Sequence, residues 1–298
     1  MNNRLMPPLR LVLNTDCNGT CYFCHHEGLA EKSRGIMPKT VISECVDAAS
    51  KLNITKICLT GGEPTLRDDL SDVICYIKGK LPYVELSLTT NGLNIEQITT
   101  SAWELLNKVN LSIVSFREDI YLNYQKVDPI PAFKLLKERS KKTTINLVVI
   151  ADNKDEVTNI IDKSFSYDFN VDLMFELISN DIELQKEVLK KLTEHYGVLS
   201  VCYNSTPVMM LCELTGKQLR IKAPNITGIM RRNLCDNCPN YNSCPEKVCG
   251  LRVYPDGDVS PCLSRHIQSA KATIHERIEE LYPLLGVPTN ELYSFFIN

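Results

Sequence analysis

Six short apolar, β-rich runs alternate with longer segments of helical period across the first 180 residues, and this alternation sets the fold class. The runs are Leu9–Asn14, Lys56–Thr60, Val84–Thr89, Val109–Ser115, Ile145–Ile150 and Val171–Leu177. Between them the spacing predicts helices over Thr40–Leu52, Asp69–Lys80, Ile95–Lys108, Ala132–Lys141 and Lys154–Phe165, and a further helix over Ile182–Tyr196. Repeated βα units of this length build a parallel sheet or barrel. Several runs are nearly continuous in apolar residues, as expected of strands covered by helices. With six units in place of eight, the expected architecture is α/β: a partial (β/α)6 parallel barrel, open rather than closed.

In parallel barrels the C-terminal strand ends form the active-site rim. The residues that carry chemistry here fall just after strands. Cys17–Cys24 follow the first run, Gly61-Gly62-Glu63-Pro64 the second, Thr90-Asn91-Gly92 the third and Ser115–Asp119 the fourth. One rim is expected to collect them all.

Composition narrows the function. A chain of 298 residues with 44% hydrophobic residues can bury a substantial core, and a net charge of −3 with pI near 6.0 excludes a broad electrostatic footprint for nucleic acid. Met1–Arg10 lacks the apolar centre of a signal peptide, and no apolar run reaches membrane-spanning length. The expectation is a cytoplasmic protein with no nucleic-acid or membrane partner. Thirteen cysteines are then anomalous, because cytosolic thiols stay reduced and clustered ones serve as metal ligands or catalytic groups. Cys45 and Cys75 sit among apolar neighbours at helical spacing and read as small buried hydrophobes, as do Cys202 and Cys212, which have no partner spacing.

Cys17-Asn-Gly-Thr-Cys21-Tyr-Phe-Cys24 sets three thiols on a tight loop containing Gly19. Three thiolates can hold three irons of a 4Fe–4S cluster and leave the fourth open, whereas most electron-transfer clusters use four cysteines. The alternative is a zinc knuckle completed by His25 or His26. A second group follows: Cys235-x2-Cys238-x5-Cys244-x4-Cys249 and, after twelve residues, Cys262. The stretch 235–262 is too polar to form a core of its own, so a metal would supply its stability. Pro255–Cys262 reads as a hairpin turning at Gly257 and returning Cys262 to the site. The alternative here too is structural zinc. These features divide the chain into a core over 1–200 and a small cysteine-rich C-terminal domain over 201–298.

The C-x3-C-x2-C loop after the first strand resembles the signature of the radical S-adenosylmethionine (SAM) superfamily. The resemblance implies that the open iron of a 4Fe–4S cluster at Cys17, Cys21 and Cys24 chelates SAM. One electron then splits SAM into methionine and a 5′-deoxyadenosyl radical, which abstracts hydrogen from substrate. It further implies a low-potential electron donor such as flavodoxin or ferredoxin. Thr60-Gly-Gly-Glu-Pro64 is similar to the segment that holds the methionine amino group, and Phe23 to the aromatic whose backbone faces adenine. Gly62, Glu63, Asn91, Ser112 and Ile178 are the implied SAM-side residues. The second cysteine group resembles the twitch or SPASM extensions that hold an auxiliary 4Fe–4S cluster, with Cys244, Cys249 and Cys262 aligned and Cys235 or Cys238 adding a ligand.

Within the superfamily the likeness runs to the molybdenum-cofactor GTP 3′,8-cyclase group. It rests on Leu9-Arg10, Leu59–Arg67, Thr89-Thr-Asn-Gly92, Val109-Asn-Leu-Ser112, Ile145–Val149 and Leu251–Gly257 running to Cys262. By that resemblance Arg10, Thr89 and Arg252 lie where the group binds substrate. The chain departs from the group at several cations: Cys58 and Thr144 replace an arginine and a lysine, and an Arg-x-Arg pair is reduced to Arg252. Guanidinium gives a triphosphate bidentate contacts that neutral residues do not. The expected partner is therefore a small nucleoside- or nucleotide-like molecule other than GTP. GTP cyclisation and peptide modification are the rival activities, and a zinc-stabilised binding module is the rival without catalysis.

Overall fold

The computed structural model describes residues 4–28, 35–176, 181–197, 200–202, 209–214, 217–222, 238–239, 250–263, 268–285, 287–288 and 294–296. In chain order the elements are β1 (Arg4–Leu5), β2 (Leu9–Val12), α1 (Lys39–Lys51), β3 (Lys56–Thr60), α2 (Leu70–Lys80), β4 (Glu85–Thr90), α3 (Thr100–Leu105), β5 (Lys108–Ile113) and α4 (Glu118–Tyr124). They continue with α5 (Pro129–Glu138), β6 (Thr143–Val149), α6 (Val157–Ser166), β7 (Asn170–Phe175) and α7 (Ile182–Tyr196). After residue 200 come β8 (Ser200–Cys202), β9 (Met209–Leu214), β10 (Lys217–Lys222), β11 (Leu251–Val253), β12 (Val259–Ser260), α8 (Ile274–Leu281), β13 (Val287–Pro288) and β14 (Ser294–Phe296).

β2 to β7 lie side by side in sequence order and every neighbouring pair is parallel, which is the expected run of six βα units. The sheet continues past both ends of that run. β10 adds parallel to β7, with β9, β8 and β14 antiparallel beyond it. β11 adds parallel to β2, with β12 antiparallel outside. The twelve-stranded order has β12 and β14 as its edges, so the sheet is open. β9 and β10 form a hairpin, and β11–β12 makes the expected turn at Gly257 (φ 82°), where Tyr254 N–H donates to the Asp258 carbonyl at 2.9 Å.

The central strands alternate more strictly than the sequence suggests. On β5, Val109, Leu111 and Ile113 are buried in the main core while Lys108, Asn110 and Ser112 face the other way; on β7, Val171, Leu173 and Phe175 alternate with Asn170, Asp172 and Met174. The apolar face packs under helices α1, α2, α3, α5, α6 and α7, and each fully buried aliphatic side chain there contributes on the order of 1.5–3 kcal/mol. The polar face is shielded at Arg252 and Thr144, each 1% exposed, and at Cys58, 2% exposed, and it is half-buried at Ser87, Thr89, Lys108, Asn110, Ser112 and Asp172. A polar sheet face partly withdrawn from bulk water suits the interior of a partial barrel.

Two helices differ from expectation. The segment predicted as one helix over Ile95–Lys108 is a 3-10 turn, Ile95–Gln97, followed by α3. Thr99 breaks it by capping α3, its Oγ1 accepting from Ala102 N–H, and the chain re-enters the sheet at Lys108. α4 carries a single buried residue, Ile120, so it offers no apolar stripe to read. Among the described residues, no helix is long and apolar enough to cross a membrane.

Candidate active site

The cysteine loop leaves β2 and is held from three sides. Leu13 N–H donates to the Thr60 carbonyl at 2.7 Å, and Asn14 bridges Ile36. Asn14 Nδ2 donates to the Glu63 carbonyl at 2.9 Å, and Asn91 Nδ2 donates to Asn18 Oδ1 at 2.9 Å. From the far side, Thr20 N–H donates to the Tyr124 carbonyl at 3.2 Å, at the end of α4. Tyr22, Phe23 and Tyr124 form one aromatic group with centroids 5.3–6.3 Å apart, resting near Val114, Ile120 and Ile150. The strand ends β2, β3, β4 and β5 thus deliver their motifs to one rim, as expected.

Glycine is required where the chain segments cross. A Cβ on Gly62 would fall 2.1 Å from the Asp16 carbonyl oxygen, and one on Gly61 2.5 Å from Asn14 Oδ1. Gly62 N–H donates to the Asn14 carbonyl at 2.8 Å and Glu63 N–H to the Asp16 carbonyl at 2.7 Å. The Gly-Gly pair is therefore needed first for its fit against the backbone leading into the cysteine loop. Gly62→Ala is expected to push that backbone aside and destabilise the fold by roughly 1–3 kcal/mol, with reduced iron uptake on reconstitution. Thermal denaturation and iron content check this; an unchanged melting temperature would contradict the crossing.

Glu63 is buried and ties two motifs together. Its Oε1 accepts from Thr65 N–H (3.0 Å), Thr65 Oγ1 (2.7 Å) and Thr90 Oγ1 (2.6 Å), and its Oε2 from Asn91 N–H (2.7 Å). Burial pushes its carboxyl up despite these four donors. Its carboxylate thus fixes the strand ends of β3 and β4 relative to each other.

Of the other implied residues, Ser112 faces the polar side of β5 with its carbonyl accepting from Gln125 Nε2. Phe23 is half-buried. Ile178, Cys235, Cys244 and Cys249 lie outside the described residues. Cys238 is half-buried; Cys262 is buried at the end of the β11–β12 hairpin, its N–H donating to Ser260 Oγ at 3.3 Å. Cys45 is buried and Cys75 partly so, both packed with the core, while the side chains of Cys202 and Cys212 are outside the described set.

Three of the implied substrate residues are brought together. Pairing places Arg252 beside Arg10, Arg10 beside Cys58 and Cys58 beside Ser87 across β11, β2, β3 and β4. Thr89 Oγ1 lies 3.4 Å from Cys58 Sγ, and Arg10 Nη1 4.0 Å from the same sulfur. The residue that joins them was not anticipated. Glu27, three residues past Cys24, is buried; its Oε1 accepts from Arg10 Nη2 (2.5 Å) and Thr60 Oγ1 (2.8 Å), and its Oε2 from Arg252 Nε (2.7 Å). Tyr254 OH donates to its carbonyl at 2.8 Å. Burial alone would raise its carboxyl, but Arg10 and Arg252 overcome that and hold it well below the usual carboxylate range. His26 (φ 47°) and Glu27 (φ 52°) take left-handed backbone to turn the side chain inward. The only sequence hint is an acid next to a Gly just past the loop.

The donor set suits an iron–sulfur cluster. Cys17 Sγ and Cys21 Sγ stand 3.6 and 3.7 Å from the position a Cβ on Gly19 would take, and Gly19 N–H and His26 N–H donate to the Cys17 and Cys24 sulfurs at 3.3 Å. Burial raises all three, Cys21 to about 12, with the charges of Cys24 and Cys17 adding to it at Cys21, Glu63 and Cys24 at Cys17, and Glu27 at Cys24. Crowded thiols of that kind ionise readily only against bound metal. Among the described residues no three His, Cys, Asp or Glu side chains converge on a single-ion position. His25 and His26 are exposed.

The model of the Radical SAM superfamily matches residues 11–164, more than half of the chain. This chain belongs to the radical SAM superfamily. Its curated relatives include probable GTP 3′,8-cyclases of Thermococcus kodakarensis (37% identical over 42% of this chain and 40% of that protein) and Thermoplasma volcanium (35% over 61% and 57%). The matched segments thus span about half the length of those two proteins. A probable GTP 3′,8-cyclase of Pyrococcus horikoshii is 29% identical over 86% of this chain and 83% of its own. Among solved structures, SuiB of Streptococcus suis bound to precursor peptide SuiA superposes with TM-score 0.62 at 18% identity, over 95% of this chain and 67% of that one. The native AdoMet-bound anSMEcpe superposes with TM-score 0.63 at 20% identity, over 92% and 80%. These two likenesses establish the radical SAM fold.

Proposed function

We propose that this chain is an enzyme that cleaves SAM reductively and abstracts hydrogen from a small nucleoside- or nucleotide-like substrate. The observation that carries the reading is the meeting of Cys17, Cys21 and Cys24 with the Gly61-Gly62 crossing on one strand-end rim, directly above a shielded polar face. A 4Fe–4S cluster at the three cysteines, with SAM bound, supplies the one-electron cleavage that generates a 5′-deoxyadenosyl radical. The chain's own residues position and exclude water. Glu63 and Asn91 fix the strand ends beside the loop, and Tyr22, Phe23 and Tyr124 cover its outer side. Ser112 and Ile178 complete the SAM side of this proposal, and Arg10, Thr89 and Arg252 the substrate side.

The second cysteine group is proposed to hold an auxiliary 4Fe–4S cluster in a C-terminal region spanning 201–298, through Cys262 and two or three of Cys235, Cys238, Cys244 and Cys249. Their spacing and the hairpin that returns Cys262 support it. Electrons would come from a low-potential flavodoxin or ferredoxin, and the expected compartment is the cytoplasm. GTP 3′,8-cyclisation is the second reading, favoured by the relatives of that name.

The test is anaerobic incubation of reconstituted protein with SAM, a strong reductant and a panel of GTP, other nucleotides and nucleosides. Background 5′-deoxyadenosine is expected without substrate and a several-fold rise with one panel member. S-adenosylhomocysteine as the sole SAM product would sink the radical reading. Efficient conversion of GTP to its 3′,8-cyclic product would replace the altered-substrate reading with the second one.

A further inference from the structure

The row that contains Arg252, Arg10, Cys58 and Ser87 does not stop at β4. Ser87 pairs with Lys108, so the row crosses five neighbouring strands and ends on a lysine. Lys108 shares the polar face of β5 with Asn110, which donates to Thr89 Oγ1 at 3.2 Å. At the usual strand spacing it stands roughly 14 Å from Arg10 across the sheet, the span of a small nucleotide.

The other cations named on this face are already matched to carboxylates. Arg10 and Arg252 share Glu27, and Arg220 of β10 grips Asp172 of β7 with two donors. Among the described residues Lys108 forms no ion pair or hydrogen bond; Asp172 and Arg220 act on it through their charges without direct contact. Burial pushes its ammonium below the usual lysine range, and the charge of Asp172 offsets that only in part. It also occupies the part of the face where Cys58 and Thr144 stand in place of the cations of the GTP cyclase group: Cys58 is on the same row, and Thr144 pairs with Asn110 two residues on.

We propose that Lys108 anchors the substrate by binding a singly esterified phosphate, as in a nucleoside monophosphate, at the end of the row opposite the Arg10–Glu27–Arg252 group. This rests on the reading that the polar face receives a nucleotide-like substrate. One ammonium with no carboxylate in direct contact among the described residues suits one phosphoryl group; a triphosphate would need further cations that are here bound to Glu27 and Asp172. The arginine pair is engaged with Glu27 and so does not supply the phosphate anchor.

Calorimetric titration of the reconstituted full-length protein tests this with GMP, AMP and UMP, their nucleosides, and GTP. At least one monophosphate is expected to bind tenfold or more tighter than its nucleoside, and tighter than GTP. In Lys108→Met that preference should fall below twofold with iron content and melting temperature unchanged, and Lys108→Arg should restore most of it. The proposal is overturned if the wild type prefers no monophosphate, if GTP binds tightest, or if Lys108→Met keeps the preference. SAM cleavage by the wild type is assayed separately, so its absence would count against the radical reading and leave the binding comparison standing.

Discussion

Replacing Cys17, Cys21 and Cys24 together by alanine is expected to abolish 5′-deoxyadenosine formation and lower iron from about eight to about four atoms per chain. The loop supplies three thiols from one short segment, so removing them leaves no local ligand for that cluster. The proposed auxiliary site draws on residues 235–262 and should keep its iron. The folded sheet should survive, because the loop is held by Asn14, Asn18 and Thr20 rather than by its sulfurs. Iron and sulfide analysis with circular dichroism decides it: full iron in the triple variant would remove the central claim.

Glu27→Ala, which removes a buried carboxylate paired with two arginines, is expected to destabilise the fold by on the order of 3–5 kcal/mol. Arg252, 1% exposed, would lose the carboxylate that receives its Nε, and Arg10 would lose the same partner. The cost comes from removing the carboxylate beside the buried Arg252 guanidinium, so Glu27→Met combined with Arg252→Met should recover part of it. The pH dependence has a definite sign. Glu27 is depressed in the fold, so its contribution is fully present at neutral pH. It is lost as pH falls below the ordinary glutamate range towards the depressed value. The gap between wild type and Glu27→Ala in denaturant midpoint should therefore narrow in acid; a gap that widens would contradict the pairing.

The six βα units and the rim motifs were legible because both signals are local: period-2 or period-3.6 patterning within an element, and cysteine or glycine spacing within a loop. α4 was not, since one buried residue in seven leaves no period. The strict alternation on β5 and β7, and with it the extent of the polar face, lies in the parity of each strand and not in its apolar content. Resemblance brought forward Arg10 and Arg252, but what joins them is Glu27, which meets Arg252 across 225 positions of sequence. No local pattern encodes such a contact. Lys108 carries no local signal either, because its place on the row follows from register across four neighbouring strands and not from its own surroundings in the chain.

The parallel pairing of Leu251–Val253 with Leu9–Leu11 also fixes an order of events during synthesis. β2 can gain β3 as soon as Thr60 has emerged, but its other edge must wait for a segment made some 230 residues after Cys24. At typical elongation rates that interval lasts roughly 10–45 s. Throughout it Glu27 lacks Arg252 and the hydroxyl of Tyr254, and the exit from the cysteine loop is untethered on that side. The nascent chain thus passes through a stage in which the three thiols are presented on a half-built sheet, open to whatever delivers iron. Docking of β11 ends that stage by supplying both partners and fixing Glu27 at the exit from the loop.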